Sequence, residues 1–130
     1  MGNTIIEKII KHNTGAAQVK PGDIVTVNVD RVMIHDIFIP FVADKFEEMG
    51  FKKLWDPDRV VLIYDHLVPA SQLDDTRHFR VGDAFAARYG MKNVHRSDGI
   101  CHQLMTEAGY VKPGDVVFGT DSHTTTYGCV

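Results

Sequence analysis

The residues best suited to chemistry lie in one run near the end of the chain, residues 119–124, which reads Gly-Thr-Asp-Ser-His-Thr. The run places a carboxylate at Asp121, a hydroxyl at Ser122 and an imidazole at His123 next to one another, a set that can orient an anionic substrate and move protons. The β-branched and aromatic stretch before it predicts a strand, and the threonine-rich stretch after it predicts a turn or helix cap. Ligand sites in open α/β sheets lie at such strand ends. The alternative is a helix N-cap cluster, which Asp, Ser and Thr form routinely.

Two upstream segments carry residues of the same kinds. Asp65 and His66 directly follow residues 60–64, a continuous apolar run that predicts a strand buried on both faces. An aspartate beside an imidazole can orient it and raise its basicity, although such a pair can also be a turn that caps the next helix. His102 lies among apolar residues, where a lone histidine is more often part of the core. Neither segment would justify a catalytic assignment by itself.

Taken together and in order, these motifs resemble the aconitase superfamily of hydro-lyases, above all the large subunits of 3-isopropylmalate dehydratase and homoaconitase. The resemblance rests on Tyr-Asp-His at 64–66, Gly-Ile-Cys-His-Gln at 99–103 and Gly-Thr-Asp-Ser-His-Thr at 119–124, with Pro69 and the Pro113-Gly114 turn between them. It runs from near the N-terminus to the last residue. Several fixed residues in fixed order make this agreement specific.

The resemblance implies a role for each of these polar residues. Asp65 and His66 would help to protonate the leaving hydroxyl of a hydroxy acid. His102 would be an active-site imidazole partnered by Asp121, a pair in which each group reduces the desolvation cost of the other. The other two residues would contact the substrate. Ser122 would bind a substrate carboxylate through its side-chain hydroxyl, and His123 would help to position the substrate and the substrate hydroxyl. None of these residues is assigned as a metal ligand.

The resemblance also implies groups that this sequence does not supply. In the family, one iron of a [4Fe–4S] cluster held by three cysteines assists the loss of the hydroxyl, and a serine on a mobile domain or small subunit removes the proton α to a carboxylate. Cys101 and Cys129 do not match the cluster positions. We therefore expect residues 1–130 to be a single α/β segment, the N-terminal part of a longer large subunit, which is inactive alone and requires a small-subunit partner. Both thiols are expected to be buried and reduced.

Composition narrows the remaining classes of protein. The chain has 130 residues, of which 44% are hydrophobic and 24% charged, with a net charge of −3. This suits one domain with an ordinary soluble surface. The sequence contains no polybasic patch for nucleic acid or membrane, no signal peptide and no run of the roughly 18 apolar residues that a membrane span requires. We expect a cytoplasmic enzyme of amino-acid biosynthesis that acts on a small-molecule hydroxy acid.

The spacing of apolar residues predicts alternating helices and strands. Helices are predicted at 5–12, 41–49, 74–89 and 99–108, and strands at 24–30, 60–64, 92–95 and 115–118. Strands separated by helices imply crossover connections and a largely parallel sheet with flanking helices. The predicted class is therefore α/β, and the resemblance makes it the first part of an aconitase-like α/β/α domain. The repeated Val-Lys-Pro-Gly-Asp at 19–23 and 111–115 is interpreted as two uses of one turn.

One segment departs from the family pattern. Family members usually have small or polar residues, often Thr, where this chain has Ile37, Phe38 and Ile39. The substrate therefore stays open among 3-isopropylmalate, homoaconitate, a dimethylmalate-type acid and a citrate-like acid, with a non-citrate acid favoured. The other four histidines receive no role: His12, His35, His78 and His95. We expect His78 and His95 to be solvated, because their neighbours in the sequence are charged.

Two functions of other classes remain as alternatives. Five side chains could gather a single metal ion and make the chain a small metal-binding hydrolase, since mixed His and carboxylate ligands allow it: Asp65, His66, His102, Asp121 and His123. The chain could also be a non-catalytic docking module that kept the sheet and lost the chemistry. Metal analysis distinguishes the metal-binding hydrolase from the hydro-lyase. Substitution of Asp121 or His66 in the assembled enzyme tests the docking module, which predicts unchanged turnover, whereas the enzyme predicts loss of activity with the fold intact.

Overall fold

Four parallel strands form the centre of the molecule in the computed structural model, which describes residues 2–130. The strands are β1 (Arg31–His35), β2 (Val60–Ile63), β3 (Asn93–His95) and β4 (Val117–Gly119). Their order across the sheet is β3-β2-β1-β4, and every neighbouring pair is parallel. The α/β class and the parallel sheet are therefore confirmed. Because all four strands run the same way, their carboxyl ends share one edge of the sheet.

Four helices connect and flank the strands: α1 (Ile5–Thr14), α2 (Ile39–Glu48), α3 (Asp75–Tyr89) and α4 (Cys101–Glu107). The bounds of each helix lie within two residues of the predicted ones. Two short 3₁₀ helices are also present, at Pro57–Arg59 and Thr124–Cys129. Helix α1 begins with a capping box, in which Thr4 and Glu7 satisfy each other's backbone N–H groups. Within residues 2–130, none of the helices combines the length and the apolar character that crossing a membrane requires.

The core has two layers, one on each face of the sheet. On one face, Ile34 and Leu62 pack with α2 and α3, and on the other face Met33, Val61 and Ile63 pack with α4. All four residues of β2 are buried. This explains why the sequence of β2 is continuously apolar rather than alternating, since a parallel strand covered on both faces has no solvent side.

The predicted strand at 24–30 is wrong. This segment forms no strand, and Ile24 is fully exposed. Its hydrogen bonds go instead to the end of α1, where the backbone N–H of Asn28 donates to Asn13 Oδ1 at 2.7 Å and Asn13 Nδ2 donates to the Asn28 carbonyl at 2.8 Å. The ladder begins only at Asp30, whose N–H donates to the Val116 carbonyl. The true strand, β1, therefore starts one residue after the predicted one ends.

The two Val-Lys-Pro-Gly-Asp segments form the same turn. In each, the Asp carboxylate accepts the backbone N–H of the Lys, at 2.8 Å for Asp23 and 3.0 Å for Asp115. Gly22 and Gly114 have φ of 94° and 92°, a left-handed conformation that favours glycine. The repetition is therefore local turn chemistry.

Helix α3 contains a glycine because the ring of Tyr64 occupies the space beside it. A Cβ built on Gly82 would lie 2.4 Å from the Tyr64 hydroxyl and 3.0 Å from ring atom Cε1. That ring is buried, and its hydroxyl donates to Asp83 Oδ1 at 2.8 Å, so it has little freedom to move away. The close contact therefore requires glycine at this position.

We expect Gly82→Ala to lower the free energy of unfolding by up to about 2 kcal/mol. Overpacking a fixed neighbour costs about 1–3 kcal/mol, whereas alanine gains only about 1 kcal/mol in helix propensity. Urea unfolding measures the change. Gly128→Ala is the control, because no atom lies within 4 Å of its Cβ position. A stabilised Gly82→Ala protein would show that Tyr64 moves freely.

Candidate active site

The candidate site lies where the carboxyl ends of three adjacent strands meet. Asp36 directly follows β1, Asp65 and His66 come shortly after β2, and Asp121 comes two residues after β4. His102 reaches the same place from the first turn of α4. The sheet order β2-β1-β4 brings these strand ends together although they are far apart in sequence. The strand-end position predicted for residues 119–124 is confirmed.

Asp121 joins the two histidines that the sequence singled out. Its Oδ1 lies 3.0 Å from His102 Nε2, and its Oδ2 lies 3.2 Å from His66 Nε2. Its Oδ1 also accepts the backbone N–H of His123 at 2.7 Å. Burial alone would raise the pKa of this carboxyl, but the His123 N–H and the two imidazoles outweigh it and lower the pKa. Asp121 is therefore an ionised carboxylate held between His66 and His102, and the expected pairing with His102 is present.

Asp65 connects His66 to helix α4. Its Oδ1 lies 2.7 Å from His66 Nδ1, and its Oδ2 accepts the backbone N–H of Cys101 at 2.7 Å. The carboxylate is 4% exposed. One buried aspartate thus orients the imidazole and fixes the start of the helix that carries His102.

The His66 ring is surrounded by negative charge. Partial burial would lower the pKa of the imidazole, but the hydrogen bond and charge of Asp65, followed by Asp36 and Asp121, raise it above 6.5. Its two ring nitrogens contact Asp65 and Asp121 on opposite sides. A raised pKa increases the protonated fraction of the imidazole at a given pH, which suits a general acid.

The sequence interpretation missed His35 and Asp36. The ring of His35 is buried and stacks on that of His66, with centroids 4.2 Å apart and planes 23° from parallel. Asp36 is fully buried, and its carboxylate accepts the backbone N–H groups of His66 and Leu67. The signal that could have revealed them is an apolar run that ends in a His-Asp pair, the pattern that marked Asp65.

Ser122 and His123 form the exposed side of the site. The side chain of His123 is 78% exposed, and its Nδ1 lies 3.0 Å from Ser122 Oγ. Its ring centroid is 6.1 Å from that of His102. The two residues face solvent beside the buried carboxylate, a position from which both can contact a substrate.

The expectation that His78 and His95 are solvated is wrong. His78 Nδ1 lies 3.1 Å from the Asp36 carbonyl, and the ring is partly buried. The side chain of His95 is 19% exposed, and its two nitrogens contact Asp98 and Tyr110. Charged neighbours in sequence did not predict exposure, because helix α3 and strand β3 turn these rings toward the protein.

The cysteines do not fit an iron–sulfur cluster. Cys101 is fully buried, and burial together with the neighbouring Asp65 raises the pKa of its thiol to about 12, so it is a poor thiolate donor. Cys129 is exposed, which contradicts its predicted burial. Both are free thiols in residues 2–130, as expected. Two cysteines of such different surroundings cannot supply the three thiolates of a cluster.

Histidine and carboxylate atoms of the site lie near one another in three groups. In each group the ligand atoms are within 4.8 Å of one another, and one group consists of His102, Asp121 and His123. The carboxylates of these groups contact protein donors at 2.7–3.2 Å. We assign no metal ligand from these distances.

The thiol of Cys101 should be unreactive in the native protein. Its burial and raised pKa leave almost no thiolate at pH 8. We expect brief treatment of the assembled enzyme with iodoacetamide at pH 8 to leave the peptide containing Cys101 unlabelled, and treatment in denaturant to label it fully. Peptide mass spectrometry measures both. Rapid native labelling would show that α4 opens away from Asp65.

Comparison with known proteins identifies the family. The family model described as the aconitase family (aconitate hydratase) matches residues 7–130. The chain belongs to the aconitase family. The resemblance expected from the motifs is thereby confirmed.

Members of the aconitase family with curated names are similar over the whole chain. A 3-isopropylmalate dehydratase large subunit from Methanoregula boonei is 42% identical over 130 residues, covering 100% of this chain and 31% of the relative. Large subunit 1 of the same enzyme from Methanopyrus kandleri is 39% identical over 131 residues, with 100% and 31% covered. A probable methanogen homoaconitase large subunit from Methanothermobacter thermautotrophicus is 40% identical over 127 residues, with 94% and 30% covered. The chain thus spans about a third of the length of these relatives.

Proposed function

We propose that this chain is part of an iron–sulfur hydro-lyase that dehydrates and rehydrates a hydroxy di- or tricarboxylic acid. The observation that carries the proposal is the Asp121 carboxylate, which contacts both His66 and His102 at the meeting point of three strand ends. The names of the relatives, all dehydratase or homoaconitase large subunits, support the reaction class. We place residues 1–130 as one α/β segment in the N-terminal part of a large subunit.

The acid of the proposed reaction is His66. Elimination of water from a β-hydroxy acid requires that the leaving hydroxyl receive a proton, because hydroxide is a poor leaving group. The raised pKa of His66 favours the protonated ring, and Asp65 holds the Nδ1 side while Nε2 lies 3.2 Å from Asp121. A proton on this edge is therefore available to a bound hydroxyl.

His102, Ser122 and His123 are proposed to bind and orient the acid. The side chains of His102 and His123 are 23% and 78% exposed, and Ser122 is exposed between Asp121 and His123. A hydroxyl and two imidazoles can together receive a carboxylate and a hydroxyl of the substrate. Asp121 supports this arrangement by fixing His102 and the N–H of His123.

The remaining parts of the proposed enzyme lie outside this chain. Because Cys101 and Cys129 do not fit a [4Fe–4S] cluster, we propose that its ligand cysteines belong to other segments. The relatives are named large subunits, which supports a small-subunit partner that supplies the base. We place the assembled enzyme in the cytoplasm, as the composition favours.

A substrate with an apolar branch is proposed over citrate. Ile37 and Phe38 are 41% and 43% exposed, and the Phe38 ring lies edge-on to His35, with centroids 5.4 Å apart. An apolar surface beside the histidines favours an alkyl substituent over a further carboxylate. This supports 3-isopropylmalate or a dimethylmalate-type acid.

The test is the activity of the assembled large and small subunits, with these 130 residues in place, on the four candidate acids. Dehydration creates a C=C bond conjugated to a carboxylate, and its ultraviolet absorbance follows the reaction. We expect turnover of an alkyl-substituted malate and little turnover of citrate. Preferential turnover of citrate would refute the substrate assignment, and absence of turnover with all four acids would refute the reaction class.

A further inference from the structure

The buried carboxylate of Asp36 holds the turn that carries His66. Its Oδ2 accepts the N–H of Leu67 at 2.8 Å, and both oxygens lie 3.2 Å from the N–H of His66. Its Oδ1 also accepts the N–H of Ile37 at 3.0 Å. Three backbone N–H groups from two strand ends thus converge on one fully buried carboxylate. The turn after β2 is thereby tied to the end of β1.

The backbone of Asp36 also connects the ends of β1 and β2 to helix α3. Its N–H donates to the Ile63 carbonyl at 3.1 Å, which continues the pairing of β1 with β2. Its carbonyl lies 3.1 Å from His78 Nδ1 on α3. Asp36 therefore fixes the relative position of two strands and a helix at the edge of the site.

The charge of Asp36 also lies next to both stacked rings. Its Oδ1 is 3.8 Å from the Nδ1 atoms of His35 and of His66, too far for hydrogen bonds but close for a charge. Burial alone would raise the pKa of this carboxyl, yet the adjacent His35 ring and the N–H groups of Leu67 and His66 lower it. Since the His35 contact is long, the two N–H donors are the main cause. The group is therefore an anion.

We propose that Asp36 is a positioning residue for the dehydration: its carboxylate clamps the backbone of His66 and Leu67 and so holds the His66 ring against His35 and between Asp65 and Asp121. This inference rests on the proposed function, because His66 is the proposed acid. The carboxylate itself does not reach substrate. Its effect passes through the position and the protonation of one imidazole.

Asparagine at this position would remove both contributions while keeping the shape. One amide oxygen remains to accept N–H groups, but the NH₂ group must face a backbone donor that the carboxylate had satisfied. The other groups facing His66 stay in place, namely Asp65, Asp121 and the His35 ring, with His78 behind Asp36. The loss of one negative charge therefore lowers the pKa of His66, and the turn at 65–67 loosens.

The experiment compares Asp36→Asn with Asp75→Asn in the assembled enzyme. Asp75 is a matched control, because it is also buried and its Oδ2 accepts two backbone N–H groups, from Ser71 and Gln72, at the start of α3. We expect Asp36→Asn to lower kcat by about 10- to 100-fold with a smaller change in KM, and to move the alkaline limb of the kcat profile to lower pH. Asp75→Asn should lower the unfolding temperature but leave that limb in place.

A second readout does not depend on turnover. The ¹³Cε1 signal of His66 in ¹³C-histidine-labelled enzyme, assigned by its loss in His66→Gln, reports the pKa of the ring directly. We expect Asp36→Asn to lower that pKa and Asp75→Asn to leave it unchanged. If the wild type fails to turn over any hydroxy acid, the proposed function fails, whereas this titration still tests the link between Asp36 and His66.

Asp36→Glu keeps the charge on a longer stem and covers the case in which the asparagine variant does not assemble. It should lower kcat at least about 10-fold because the clamp is displaced, with the alkaline limb close to that of wild type because the charge remains. Wild-type kcat together with an unmoved His66 titration in either folded variant would overturn the proposal. So would the failure of both variants to assemble when Asp75→Asn does, since Asp36 would then be a purely structural residue.

Discussion

Replacing Asp121 by asparagine should lower kcat/KM of the assembled enzyme by about 10²- to 10⁴-fold while leaving the fold intact. The carboxylate contacts His66 Nε2 at 3.2 Å and His102 Nε2 at 3.0 Å, so one substitution removes the charge shared by two imidazoles. Asparagine is isosteric, and the backbone N–H of His123 can still donate to its amide oxygen. Steady-state kinetics and circular dichroism of the same preparation measure the two effects.

The matched control for Asp121 is Asp98→Asn. Asp98 also pairs with a histidine, His95, at 2.6 Å, but that carboxylate is 54% exposed and lies in the loop after β3. We expect its loss to change kcat/KM less than twofold. If Asp121→Asn turned over substrate at the wild-type rate, the assignment of Asp121 to the active site would be wrong and the docking-module alternative would be supported.

Replacing His66 by glutamine should lower kcat by about 10²- to 10⁴-fold with a smaller change in KM, because glutamine carries no transferable proton. In the wild type, the raised pKa of His66 sets the direction of the pH dependence: the acid form persists above pH 6.5 and is lost as pH rises through the raised value. The kcat profile should therefore fall on its alkaline side. The same ionisation stabilises the fold below the unfolded pKa, and that stabilisation is lost over the same rise.

Asp65→Asn tests the cause of that shift. Removing the carboxylate 2.7 Å from Nδ1 should return the pKa toward 6.5 and move the alkaline limb to lower pH. His95→Gln is the control histidine, since His95 pairs with Asp98 outside the site. An unchanged limb in Asp65→Asn would mean that a different group titrates in the profile.

The sequence predicted the positions that depend on local pattern. The apolar run of β2 and the caps of α1 and α3 identified their elements, because burial on both faces and glycine at a helix end leave direct marks in the sequence. The site residues after β2 and β4 followed from the same strand ends. These features required no knowledge of long-range contacts.

The error at 24–30 accounts for the two site residues that were missed. Alternating apolar and polar residues form a surface strand only where a neighbouring strand can pair with them. In this segment, the side chain of Asn13 takes the backbone hydrogen bonds of Asn28 instead. Since β1 was placed too early, His35 and Asp36 did not fall at a strand end in the prediction. Their burial depends on stacking against His66 and on N–H groups 30 and 31 residues away, which no local pattern encodes.

The position of β4 at the edge of the sheet determines the order in which the site residues come together during synthesis. The pairing of Asp30 with Val116 joins residues 86 apart, and contacts of such long separation form late because the intervening loop must first be closed. While the ribosome is still making the segment after β3, β1 and β2 can already pair and bring Asp36 to the turn of His66. Asp121 joins them later, when β4 pairs with β1. The nascent protein therefore holds its proposed acid in place before it holds the carboxylate that connects it to His102, and this connection forms only after β4 has docked.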